Sequence, residues 1–160
     1  MNKSTIILEL DRAKLAHERW VNRAEHLING LPVQKEFIPV EPTDCGFGEW
    51  LYGPVGDYMR TQYIFERTID RIEKSHNELH SHYSKIYKIF FDRVPKSPGL
   101  FHKLVKFNRR SVSKKEREGA KNEFAKLQES SSELLHLIEK LENAVRAVDP
   151  VMFMPPKKEM

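Results

Sequence analysis

Cysteine is nearly absent from this chain. Cys45 stands alone among 160 residues, which excludes an internal disulfide and makes a cytoplasmic location the expectation. Long apolar runs are missing too. None approaches the roughly 18 residues that a membrane-crossing helix needs. Residues 1–11 carry one basic side chain, Lys3, with no long apolar core and no small-residue cleavage site, so no secretory signal is expected. Strand-like alternation is confined to the short piece from Phe37 to Val40. Acidic residues are missing from Arg93 to Lys115, where eight Lys and Arg stand together. The net charge of +4 therefore belongs to that one segment, and the rest of the chain is net acidic.

What is present describes a folded protein. Apolar residues make up 39% and aromatics 10%, too much for a disordered chain. The nine prolines leave three long proline-free stretches, 1–31, 55–94 and 99–149. Proline removes a backbone donor and clashes with the preceding turn, so helices fall between prolines. The first helix is expected from about Ser4 to Asn29, with Leu10, Ala13, His17, Trp20, Val21, Ala24, Leu27 and Ile28 on one face and Gly30 as its stop. The second is expected from about Asp57 to Asp92, with Phe65, Ile69, Ile72, His76, Leu79, His80, Tyr83, Tyr87 and Phe90 in its stripe. The third is expected from about Lys115 to Val148. Its heptad seam runs Phe124, Leu127, Ser131, Leu134, Ile138, Leu141, Val145 and Val148, broken once by the serine. The fold class is all-α: an antiparallel helical bundle of three long helices, with a short helix carrying Cys45.

Three histidines lie on apolar faces. His17 sits within the first stripe, and His76 and His80 sit one turn apart in the second. Burying imidazole costs free energy unless its nitrogens find partners. A hydrogen bond is the usual answer for a lone core histidine. A His-x-x-x-His pair is as well explained by an ion, because residues at i and i+4 stand over one another. Cys45 is the fourth candidate. Thr43 or Asp44 can cap a short helix, which places Cys45 in its first turn, where the helix dipole favours thiolate. Taken alone it could equally be a small buried apolar residue. Taken with the histidines it completes a set of three imidazoles and one thiolate, suited to a tetrahedral Zn²⁺. His26, His82, His102 and His136 are expected to be solvated, with His82 as a substitute ligand.

These residues match a known pattern. His17-Glu18-Arg19-Trp20, then Cys45-Gly46-Phe47-Gly48-Glu49-Trp50-Leu51-Tyr52, then His76-Asn77-Glu78-Leu79-His80 resemble the chemoreceptor zinc-binding domain over about residues 6–92. The resemblance implies a bacterial helical bundle, often dimeric, holding zinc through three His and one Cys. Such domains occur attached to chemoreceptors and diguanylate cyclases as zinc-responsive regulatory modules. Some members are thought to sense hypochlorous acid at the zinc-bound thiolate. Carried over, the metal ligands are His17, Cys45, His76 and His80, with Trp20 and Trp50 packed around them. Glu49 departs from the family's usual lysine.

The expected organisation is a zinc-binding bundle over 1–92, a basic connector over 93–114, a C-terminal helix over 115–149 that packs on the bundle or dimerises, and a loose tail over 150–160. The expected function is a stand-alone zinc-binding sensor without catalytic residues, with zinc as its cofactor. A homodimer and a separate signalling protein of chemoreceptor or cyclase type are the expected partners, and no nucleic acid is. A structural zinc-bundle adaptor is the first alternative. A four-helix metalloenzyme is the second, and it would need inward Glu-x-x-His pairs on facing helices. Glu73 and His76 form one such pair, and no second appears on another helix.

Overall fold

The computed structural model describes residues 2–91 and 112–153. Residues 92–111, which include most of the basic connector expected over 93–114, and the end of the tail, 154–160, lie outside the described residues. Within them the chain is all-α, with no strand. The elements are α1 (Lys3–Ile28), α2 (Gly46–Leu51), α3 (Pro54–Thr61), α4 (Tyr63–Phe90) and α5 (Lys114–Ala147). Short 3₁₀ turns occupy Lys35–Phe37, Pro42–Asp44 and Pro150–Phe153.

Local chemistry sets the ends of the long helices. Asn2 caps α1, its side chain accepting from the Thr5 amide at 2.8 Å. At the other end Gly30 turns to φ 80°. The Gly30 and Leu31 amides donate back to the Leu27 and His26 carbonyls, a Schellman closure that ends the helix. Ser113 and Glu116 form a reciprocal capping box at the start of α5.

The second long helix expected from Asp57 is two helices. Gln62 is extended, at φ −89° and ψ 112°, and separates α3 from α4. The break folds α3 back beside α4, where Arg60 pairs with Glu73 at 2.9 Å. In one continuous helix those residues would stand about 20 Å apart along the axis. No proline or glycine marks the break, so helical periodicity reads straight through it.

Direction follows from cross-links between the long helices. Lys3 reaches the carbonyls of Arg146 and Val148, and Arg117 reaches the carbonyl of Ile28. On α4, Arg71 pairs with Glu133 and Lys85 with Glu123. Thus α5 runs antiparallel to both α1 and α4, which run parallel to one another. Residues 29–62 make the return between them, and α2 and α3 lie in that return. The seam of α5 faces inward: Phe124, Leu127, Ser131, Leu134, Ile138, Leu141 and Val145 are all buried. Phe153 is also buried, stacked on Phe65 with centroids 6.2 Å apart. The first four residues of the segment expected as a loose tail are therefore a 3₁₀ turn anchored by an aromatic side chain. No helix among the described residues is long and apolar enough to cross a membrane.

Candidate metal centre

The residues picked out from sequence lie at one level of the bundle. Helix α1 brings His17 and Trp20, α4 brings His76 and His80, and the return brings Cys45 and Phe47. Cys45 is placed differently from its expected first-turn position. It is the N-cap of α2, its Sγ accepting from the Gly48 amide at 3.2 Å. Thr43 and Asp44 belong to the preceding 3₁₀ turn. The glycine at 48 is required by space, since a Cβ there would meet the Pro42 carbonyl oxygen at 1.7 Å. The thiol is not pushed toward thiolate as the helix-end argument predicts. Burial raises its pKa, and the amides of Gly48 and Phe47 oppose that only in part.

Cys45, His76 and His80 are buried, and one donor atom from each lies within 4.8 Å of the others. Cys45 Sγ is 3.2 Å from His76 Nε2. His80 Nδ1 is 2.8 Å from the Val40 carbonyl oxygen. A carbonyl only accepts, so Nδ1 carries the proton and Nε2 keeps its lone pair. His76 Nδ1 is buried with no hydrogen-bond partner. The rings pack closely. His76 and His80 have centroids 4.6 Å apart, Phe47 lies 5.0 Å from His76, and Trp20 lies 4.7 Å from His80. Trp20 donates its indole N–H to the Pro39 carbonyl at 3.1 Å, which holds residues 38–40 of the return against the site.

His17 is buried near them but is engaged elsewhere. Its Nε2 lies 2.9 Å from Ser131 Oγ on α5, and it is not in the three-donor group. Burial and the nearby His80 hold its pKa down to about 4. Burial, with His80 and His17, holds His76 down to about 3. Burial lowers His80 as well. At neutral pH the three imidazoles are therefore neutral, the form that binds metals.

This donor set fits a zinc-sized ion. Tetrahedral Zn²⁺ with N and S ligands keeps donors about 3.3–3.8 Å apart. The Cys45–His76 separation is already close to that, and a modest contraction brings in His80. The backbone-held tautomer of His80 is the arrangement usual for a metal-binding imidazole.

Residues 17–87 match the family model of the chemoreceptor zinc-binding domain. That segment is similar to the family's domain. It spans α1 from His17, the return with Cys45, and nearly all of α4. Comparisons with curated proteins and with solved structures find no match. The matched segment ends before α5, although α5 contributes Ser131 to the surroundings of His17.

Reading the sequence missed two groups here. The Val40 carbonyl is backbone, and no residue type announces it. Ser131 was visible only as the interruption in a heptad seam. The histidines outside the cluster differ among themselves. His26 and His136 are exposed, and His102 lies outside the described residues. His82, expected to be solvated, is half-buried and bonds Glu123 on α5 at 2.8 Å. It tethers α4 to α5 and faces away from the centre.

Proposed function

We propose that this chain is a zinc-binding regulatory module, with Cys45, His76, His80 and His17 as the four ligands. The observation that carries the reading is the buried Cys45–His76–His80 group, with His17 adjacent, inside a segment of the zinc-binding family. A bound zinc would supply a structural tie, joining the return between α1 and α4 to α4 itself. Structural zinc sites carry on the order of 10 kcal/mol of apparent binding free energy. Occupancy therefore has ample leverage on helix packing. Four protein donors leave no open position for water, which favours regulation over hydrolysis. Oxidation of Cys45 to the sulfenic acid would remove the soft anionic donor and weaken the site. The output passes to a separate signalling protein of the chemoreceptor or cyclase type. Homodimerisation and a cytoplasmic location belong to this reading; the family match over residues 17–87 supports the first and the lone cysteine the second.

A purely structural zinc site is the second reading. The depth of the donors favours it, since Cys45, His76 and His80 are all at most 5% exposed. Metal exchange separates the two. Protein loaded with ⁶⁷Zn and placed in a buffered pool of natural-abundance zinc should exchange reversibly if it senses the metal. Retention over days supports the structural alternative. For the redox input, the loaded protein is treated with hypochlorous acid beside a chromogenic chelator. Zinc release should track Cys45 oxidation, and oxidation without release rejects that input.

A further inference from the structure

Helix α5 lies outside the matched segment, yet it meets the centre through hydroxyl chemistry. Ser131 is buried in an otherwise apolar seam. Its Oγ is 2.9 Å from His17 Nε2. Next to it, Ser75 on α4 donates its hydroxyl to the Ser130 carbonyl at 3.0 Å. A serine in a heptad seam forfeits apolar packing, so its retention at this level needs a polar reason. His17 provides that reason, and His17 is also the one proposed ligand standing apart from the other donors.

We propose that Ser131 and the metal compete for His17, so that filling the site releases a buried tie between α1 and α5. This rests on the zinc reading above. An imidazole nitrogen offers a single in-plane position, either N–H or lone pair, so an Nε2 engaged by Ser131 cannot also hold an ion. Nε2 is the ring nitrogen farther from the backbone. A χ1 rotation that carries the ring toward Cys45, His76 and His80 therefore displaces Nε2 most and breaks its contact with Ser131. The freed Ser131 hydroxyl can turn to the carbonyl of Leu127, four residues back in its own helix. In this way α5 senses occupancy without contributing a ligand.

The test is a zinc competition titration on the full chain, using a chromogenic chelator, for wild type, Ser131→Ala, His17→Ala and the double variant. Removing the competitor should tighten zinc binding about fivefold, the equilibrium worth of one neutral hydrogen bond. In the His17→Ala background the same serine substitution should change nothing, because the coupling runs through His17. A merely structural serine would act alike in both backgrounds. Zinc should also speed amide exchange around Ser131 in the wild type. Unchanged or weaker binding by Ser131→Ala, or an equal gain without His17, overturns the competition while leaving the zinc reading intact. A wild-type chain that takes up no zinc overturns both.

Discussion

His80 donates its Nδ1–H to the backbone carbonyl of Val40 at 2.8 Å, across 40 residues of sequence. That bond fixes the tautomer and leaves Nε2, with its lone pair, as the nitrogen able to take an ion beside Cys45 and His76. Hydrogen bonds of this type orient metal-binding imidazoles and raise their basicity. The return between α1 and α4 thus contributes twice, with the Cys45 thiol and with the carbonyl that sets a histidine.

The two histidines near the end of α4 should therefore behave differently. His80→Ala should weaken zinc binding by more than about 100-fold, since losing a ligand exceeds the usual cost of losing its supporting partner. His82→Ala should leave affinity within about twofold, because His82 bonds Glu123 instead. Competition titrations of both variants check this. Equal losses would contradict the assignment of faces on α4.

Gly48→Ala should damage the centre without touching a ligand. The added Cβ would meet the Pro42 carbonyl oxygen at 1.7 Å, so the turn that seats Cys45 must shift. Overpacking of this kind costs roughly 1–3 kcal/mol. Zinc affinity should fall about tenfold or more, with the helical circular dichroism retained. Wild-type affinity would show that the turn is not what places the thiol.

Acid should destabilise the metal-free protein. His17 and His76 titrate at about 4 and about 3 in the fold, below their ordinary 6.5, first because of burial. The unfolded chain therefore takes up protons first. This part of the stability is complete above pH 6.5 and drains away as pH falls toward 4 for His17 and 3 for His76. At pH 5 the loss is about 2 kcal/mol for each histidine. Urea midpoints of chelator-treated protein at pH 7.5 and 5.0 measure it, and equal midpoints would contradict it.

The long helices were legible because proline spacing and three-four periodicity report directly on helix faces. The bounds of α1 and the inward seam of α5 follow from these two signals. The break at Gln62 was not legible, because tertiary pairing of Arg60 with Glu73 accompanies a backbone turn that no Gly or Pro marks. In the centre, the side chains that bear chemistry could be chosen by residue type and face. Their partners could not. Cys45 caps a helix through its own sulfur, His80 leans on a carbonyl, and His17 leans on a serine from the far end of the chain. The first is set by a local turn, the second by how the return packs on α4 and the third by how α5 docks, none of which periodicity encodes.

The most direct test of the zinc centre is elemental analysis of the purified full chain beside Cys45→Ala, both exchanged into chelator-free buffer after zinc loading. The expected result is one zinc per wild-type chain and a large loss of bound zinc in Cys45→Ala. No zinc in the wild type, or the same content in both proteins, would contradict the account.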